Sequence, residues 1–95
     1  MEENRYVEYC KQLVAGLCKD SPDLGISNKI DDMGVFLLVT GVAQSDMANV
    51  IGTKGAHVNA IRLLVRSVGL MEGARVSLKI AEPGETEYHG RREEN

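Results

Sequence analysis

Apolar side chains recur every three or four residues over positions 5–19, which is the period of a helix with one buried face. This stripe comprises Val7, Cys10, Leu13, Val14, Leu17 and Cys18. Asn4 is predicted to cap the start of the helix, and the Ser21-Pro22-Asp23 segment is predicted to end it. The chain therefore begins with an amphipathic helix that needs a hydrophobic surface to pack on.

Three later segments have the period or the composition of β-strands. Residues 25–31 and 74–80 alternate apolar and polar side chains, which is typical of half-buried strands. Residues 35–40 are an apolar run rich in β-branched side chains, which favours a more central strand. Asp31-Asp32-Met33-Gly34 has the composition of a turn, so the first two strands are predicted to form a hairpin.

Two further helices are predicted between the hairpin and the last strand. The first covers residues 46–51, follows a cap at Ser45 and breaks at Gly52. The second covers residues 56–68, and Gly69 is predicted to end it. Its apolar stripe comprises Val58, Ile61, Leu64, Val65 and Val68.

The predicted order is helix, strand, strand, helix, helix, strand. A hairpin followed by a helical crossover gives a mixed sheet whose last strand runs parallel to the strand before the crossover. These elements predict an α+β fold of two layers, with a three-stranded mixed sheet and three helices on one face. We expect one domain over residues 4–81, followed by a charged, disordered tail over residues 82–95.

The segment between the last two helices, Ile51-Gly52-Thr53-Lys54-Gly55, carries the candidate chemistry. Glycine has no Cβ, so each end of this turn can adopt positive φ and leave its N–H uncovered. The free N–H groups and the positive dipole end of the next helix favour an anion, and Lys54 adds a charge. The pattern indicates a loop that holds the phosphates of a nucleic-acid backbone.

The distribution of charge supports this interpretation more than the total charge does. The formal net charge of −3 argues against bulk attraction to nucleic acid. No acidic residue, however, lies between Asp46 and Glu72. The same stretch contains the basic residues Lys54, Arg62 and Arg66 and the titratable His57. The loop and its helix are therefore the one locally basic part of the chain.

The sequence lacks the features of several classes of protein, which are therefore not expected. No apolar run approaches the roughly 20 residues of a membrane span, and the acidic start Met1–Arg5 is unlike a secretory signal, so we expect a cytoplasmic protein. Cys10 and Cys18 are eight residues apart in one helix, about 12 Å along its axis, and are expected to be reduced thiols. The motifs of nucleophilic catalysis, nucleotide hydrolysis and metal binding are missing, so no enzyme, cofactor, metal or small-molecule substrate is expected.

Val50 to Gly55, continued by Val58, Ala60, Ile61 and Arg62, resembles the signature of type II K-homology (KH) domains. The resemblance covers about residues 4–81 and implies the element order αββααβ. It also implies binding of single-stranded RNA, pairing as a homodimer or as a heteromer with a second KH protein, and a role as a post-transcriptional regulator or RNA chaperone linked to cell shape and division. The RNA-binding residues implied are Ile51, Gly52, Thr53, Lys54, Gly55, His57, Val58 and Arg62.

Two departures from the family pattern keep a second interpretation open. Thr53 and Ala56 occupy positions that are commonly basic in these domains. With the acidic net charge, they admit a degenerate KH domain that acts as a protein-interaction or ribosome-associated module. For Ile51 and Val58 the alternatives are groove contact and core packing. No aromatic residue flanks the loop, so RNA binding is predicted to be weak and sensitive to salt.

Overall fold

The computed structural model describes residues 5–81. Its elements are α1 (Arg5–Ala15), β1 (Gly25–Asp31), β2 (Gly34–Thr40), α2 (Gln44–Ile51), a 3₁₀ turn (Thr53–Gly55), α3 (Ala56–Met71) and β3 (Val76–Ile80). The predicted order αββααβ is confirmed. The predicted cap at Asn4 and the predicted tail over 82–95 lie outside the described residues.

The three strands form one mixed sheet in the order β1-β2-β3. β1 pairs with β2 antiparallel, with Ile26 opposite Val39, and β2 pairs with β3 parallel, with Val35 opposite Val76. β2 is therefore the central strand, as its continuous apolar run predicts. The parallel pairing of β3 follows from the helical crossover through α2 and α3.

All three helices pack on the same face of this sheet. Alternate residues of β2, namely Val35, Leu37 and Val39, belong to the main core cluster. The helices add to that same cluster Tyr6, Cys10 and Val14 from α1, Val50 from α2, and Ile61 and Val65 from α3. Because alternate residues of a strand point to one face, the helical layer covers that face. Burial raises the pKa of the Cys10 thiol to about 12, which makes it unreactive.

α1 ends at Ala15, four residues earlier than the apolar period predicts. Past Gly16 the backbone changes to i→i+3 hydrogen bonds, from Leu17 N–H to Val14 and from Cys18 N–H to Ala15. The next two amides, those of Lys19 and Asp20, donate to the carboxylate of Asp46, so they cannot form the hydrogen bonds that would continue the helix. Leu17 and Cys18 still pack against the core, which explains why they matched the stripe.

α3 continues through Gly69, where it was predicted to end, and stops at Met71. Gly69 is buried, and a Cβ there would overlap Cγ2 of Val76 on β3. The glycine therefore allows close approach of helix and strand rather than ending the helix. The turn occurs at Gly73, with φ 79°, and Ala74 N–H bonds Gly69 O, so β3 begins at Val76 instead of Ala74.

Two smaller predictions were also wrong. Ile30 on β1 is 65% exposed, although the alternation of that strand predicted a half-buried side chain. β1 is an edge strand, and Ile26 is the residue of it that packs on the core. α2 begins at Gln44 and has Ala43 at its N-cap without a side-chain cap bond, so Ser45 does not cap it.

Asp46 on α2 is a buried carboxylate that holds the connection between α1 and β1. One oxygen accepts from the N–H of Lys19 (3.0 Å), and the other accepts from the N–H of Asp20 (2.8 Å) and the hydroxyl of Ser21 (2.6 Å). The Ser21 oxygen in turn accepts from Ala43 N–H at the start of α2. The Ser21 hydroxyl first, and then the two amides, hold the pKa of Asp46 below its ordinary value of 3.8.

We expect Asp46→Asn to lower the free energy of unfolding and to weaken its dependence on acid. Because the native carboxyl binds a proton less readily than the unfolded one, its contribution is complete above about pH 3.8 and is lost as the pH falls through the lower native pKa. Urea unfolding followed by circular dichroism at pH 7 and pH 3 measures both effects. Asp32→Asn, at the exposed hairpin turn, is the matched control, and equal losses in the two variants would contradict the assignment.

Candidate nucleic-acid interface

The turn between α2 and α3 consists of backbone that most residues avoid. Gly52 has φ 81°, Lys54 has φ 56° and Gly55 has φ 79°. Gly55 N–H bonds Gly52 O at 3.1 Å, which closes the turn on itself. The N–H of Ala56, the first residue of α3, bonds Thr53 O inside the turn, and the N–H groups that follow it are the ones without a partner within the helix. Lys54 adopts the left-handed conformation that most residues avoid, and it is exposed two residues before the start of α3.

Gly52 is required for space as well as for conformation. A Cβ at this position would lie 2.6 Å from the backbone N of His57 and 2.7 Å from its Cγ. Gly55 is less crowded, since a Cβ there would meet Asn59 Nδ2 at 3.4 Å and Val58 Cγ1 at 3.9 Å. The first glycine therefore lets α3 fold back against the end of α2.

The turn lies open at the surface. Thr53 and Lys54 are exposed, while Ile51, Gly52 and Gly55 are half-buried. A hydroxyl and an ammonium group thus stand together with the start of α3 in a position that a ligand from solvent can reach.

His57 braces the turn from the side of α3. Its Nδ1 bonds the backbone oxygen of Asn49, and since a carbonyl only accepts, Nδ1 carries the hydrogen and Nε2 of the neutral ring is left as an acceptor. The side chain of Asn49 donates to Leu17 O at 2.9 Å. The end of α2 is therefore tied both to α3 and to the segment after α1, a role for Asn49 that the sequence did not reveal.

The remaining predicted site residues differ in burial. Val58 is 5% exposed, so of its two possible roles, groove contact and core packing, the structure favours core packing. Ile51 is half-buried at the end of α2 and keeps part of its surface beside the turn. Arg62 is exposed and lies two helical turns after the loop.

Arg62 is held beside β3 rather than at the turn. Its Nε donates to Leu78 O at 3.1 Å, and its Nη1 donates to Asn59 Oδ1 at 3.0 Å. The sequence analysis missed Asn59, although its i, i+3 spacing from Arg62 on a helix is a usable signal. These contacts place a guanidinium group where α3 passes the free edge of the sheet.

The two acidic residues that bound the basic stretch are engaged elsewhere. Asp46 faces the Lys19 and Asp20 amides, and Glu72 accepts from Arg5 at 2.8 Å. Neither carboxylate is therefore directed at the turn. Over residues 5–81, no group of three His, Cys, Asp or Glu side chains is arranged to hold a metal, and no helix is both long and apolar enough to cross a membrane.

These elements define the class of the protein. A chain with the order αββααβ, a mixed three-stranded sheet and a Gly-x-x-Gly turn between its last two helices is a type II KH domain. The sequence is 36% identical over 67 residues to the RNA-binding protein KhpA of Caldanaerobacter subterraneus subsp. tengcongensis, a match that covers 70% of this chain and 89% of that protein. The chain therefore belongs to the KhpA family. No protein-family model matches the sequence, and no solved structure matches it.

We expect Gly52→Ala to destabilise the fold more than Gly73→Ala. The two glycines have nearly the same φ, 81° and 79°, but a Cβ on Gly73 meets nothing within 4 Å. Gly73→Ala gives the cost of an alanine at this φ where space is free, about 1–2 kcal/mol. At Gly52 the ψ of 167° places the backbone in a region essentially restricted to glycine, and the clash with His57 adds at least about 1 kcal/mol more. Equal unfolding free energies in denaturant titrations would show that the close approach of His57 is unimportant.

Proposed function

We propose that the protein binds single-stranded RNA, with the Gly52–Gly55 turn holding the phosphate backbone. The observation that carries the proposal is the exposed turn itself, in which two positive-φ glycines flank Lys54 at the start of α3. Membership of the KhpA family supports it, since the Caldanaerobacter relative is an RNA-binding protein. The expected KH mode places phosphates at the loop and bases toward α3 and the neighbouring sheet edge.

The residues around the turn make different contacts with the RNA. The backbone N–H groups that follow Ala56 at the start of α3 and the Thr53 hydroxyl donate hydrogen bonds to phosphate oxygens, and Lys54 adds a mobile charge. With its hydrogen on Nδ1, the neutral His57 ring can accept a hydrogen bond at Nε2 from a ribose hydroxyl but cannot donate one to a phosphate. Ile51 offers apolar surface to a base or ribose. Two or three phosphate contacts on a single strand correspond to a salt slope of about −1.4 to −2.

Binding by one copy is weak on this account. Tyr6 is buried under the helices, Tyr9 lies on α1, and Phe36 lies on the central strand, so none of these aromatic rings is next to the turn. Tyr88 lies outside the described residues. Without a stacking platform, affinity depends on phosphates, shape and a few base contacts.

The proposed role is that of an RNA chaperone or post-transcriptional regulator in the cytoplasm, without enzymatic activity. The KH resemblance links such proteins to cell shape and division. The resemblance also implies that the protein pairs as a homodimer or with a KhpB-like KH protein.

Lys54→Ala is expected to weaken binding of a fluorescently labelled single-stranded RNA and to make the salt slope shallower by about 0.7, because one phosphate contact is lost. Fluorescence anisotropy from about 20 to 200 mM salt measures the slope. Lys29→Ala removes an equal charge from the exposed part of β1 and is the matched control. The proposal fails if the RNA does not bind, or if the two variants lose affinity and slope equally.

One surface favours protein contact as a second function on the same domain. Leu63, Leu64, Leu70 and Met71 on α3 keep between 43% and 72% of their surface exposed. At 100° per residue they lie on the side of α3 opposite its core stripe, together with Ala60 and Ser67. This outer face of α3 carries no charge. An uncharged, contiguous apolar face of this kind is typical of an interaction site.

The pattern of this outer face is symmetric about Ser67. Leu63 and Leu64 precede the serine by four and three residues, and Leu70 and Met71 follow it by three and four. In an antiparallel pair related by a two-fold axis at Ser67, each large side chain meets a large one and the small serines meet at the centre. Isologous contacts require such self-complementarity, so the face fits a second copy of this chain.

We expect Ser67→Cys to form an intermolecular disulfide readily under mild oxidation. Helix axes about 8–10 Å apart and a Cα radius of about 2.3 Å place the two Cα atoms roughly 3.5–5.5 Å apart, which overlaps the range for a disulfide. Non-reducing gels in a Cys18→Ser background measure the yield, and sedimentation of the unmodified protein measures pairing itself.

Ser77→Cys is the control, because its exposed side chain lies on the sheet face away from the helices. Apolar pairing should persist at a salt concentration that abolishes RNA binding, which separates the two functions. If sedimentation shows a monomer at all concentrations and the two cysteine variants cross-link equally, the pairing of two copies is contradicted. The partner of this face would then be a different protein.

A further inference from the structure

The face of the sheet that points away from the helices contains a buried leucine. The odd-numbered residues of β2 point to the helices and belong to the main core cluster. Because side chains alternate along a strand, Phe36, Leu38 and Thr40 point to the opposite face, the rear face of the sheet. Leu38 is 0% exposed, although it is not part of the helix-side cluster. A side chain on a sheet is fully buried only if atoms lie above it as well as beside it.

The neighbours of Leu38 on the rear face are too small or too few to cover it. Its cross-strand partners are Ser27 on β1 and Lys79 on β3. A serine is too short to reach over a leucine, and the stem of the exposed Lys79 shields one side only. The helices lie on the opposite face, where Leu24 and Val42 of the connecting segments also pack. Within residues 5–81, no helix or strand therefore lies over Leu38.

Burial on the rear face is concentrated at the end of β3. Ala81 N–H bonds Val39 O, so the strand pairing continues by one residue, and the Ala81 side chain shares the rear face with Ser77 and Lys79. Ala81 is 5% exposed, whereas Ser77, near the start of the strand, is exposed. The buried positions Leu38 and Ala81 thus lie at the end of the sheet from which residue 82 continues the chain.

We infer that residues 82–95 dock on the rear face of the sheet and that the ring of Tyr88 covers Leu38. Pro83-Gly84 follows β3 directly and has the composition of a turn that reverses the chain. The next four residues span up to about 13 Å and neighbouring strands are about 4.8 Å apart, so residues 85–88 can cross from β3 to β2. Tyr88 carries the largest apolar surface of this segment. A docked segment takes the place of the disordered tail that the composition predicts.

Charge favours this segment over a second copy of the chain as the occupant. Lys29 and Lys79 lie on the rear face, opposite Phe36 and Leu38 of β2. Residues 82–95 contain five glutamates and two arginines, so their charge is complementary to these lysines. A second copy would present the same lysines, and like charges across a contact are unfavourable. Docking also keeps the glutamates on the far side of the sheet from α2, α3 and the turn between them.

Nuclear magnetic resonance of the full chain tests this placement without RNA, so its outcome is independent of the proposed function. We expect nuclear Overhauser effects between the Leu38 methyl groups and the Tyr88 ring within one molecule. A sample that mixes isotope-labelled and unlabelled chains separates contacts within a chain from contacts between two copies. Leu38 contacts between copies, contacts with residues 1–4, or no contact with any residue after Ala81 would overturn the inference.

The loss of the ring provides a second test. Tyr88→Ala in the full chain is expected to raise the equilibrium constant of unfolding at least about fivefold, because a buried aromatic contact is lost. His89→Ala removes a ring from the adjacent position, which the alternation of an extended segment directs away from the sheet, and is the matched control.

Urea unfolding followed by circular dichroism measures both variants. The constant for His89→Ala is expected to change by less than about twofold, as for an ordinary surface substitution. If the two variants unfold alike, Tyr88 does not cover the rear face and the inference is wrong.

Discussion

The close approach of His57 to Gly52 is the constraint on which the candidate site depends. The missing Cβ lets the start of α3 lie against the end of α2, and the same approach lets His57 hold the backbone oxygen of Asn49. Both sides of the turn are thereby fixed to each other. Because the turn is already in place before a ligand arrives, little ordering remains to oppose binding, which matters for a site with few contacts.

α2 is held equally firmly on its other side, by groups that the hydrophobic pattern does not reveal. Asp46 accepts two backbone N–H groups and the Ser21 hydroxyl, and Asn49 donates to Leu17 O, so both ends of this short helix are tied to the segment after α1. An eight-residue helix has little stability by itself, and such tethers compensate. They also turn the Asp46 carboxylate toward amides instead of toward the basic stretch.

The sequence was sufficient where a short-range pattern controls the structure. The apolar run of β2, the alternation of β3 and the two glycines of the turn predicted the element order, the central strand and the position of the loop. It was insufficient where the controlling contact is long-range. Gly69 looked like a helix end because its real partner is Val76 on β3, and Asp46 looked like a first-turn acid because its partners precede it by about 25 residues. Asn59 could be associated with Arg62 from spacing, but their link to Leu78 required the fold.

The three sides of α3 have three different surroundings, and this explains why the helix has apolar residues both in the core and on its exposed face. One side supplies core residues such as Ile61 and Val65, a second holds Arg62 beside β3, and the outer face around Ser67 is apolar although it lies in solvent. The proposed site, with two or three phosphate contacts and no stacking ring, is expected to bind one strand weakly in a chain whose net charge is −3. Pairing through the outer face would place two such sites on one particle, and a strand long enough to reach both would bind with the gain of effective concentration. On that argument the proposed RNA site and the exposed apolar face act together, because pairing through the apolar face raises the affinity that a single site lacks.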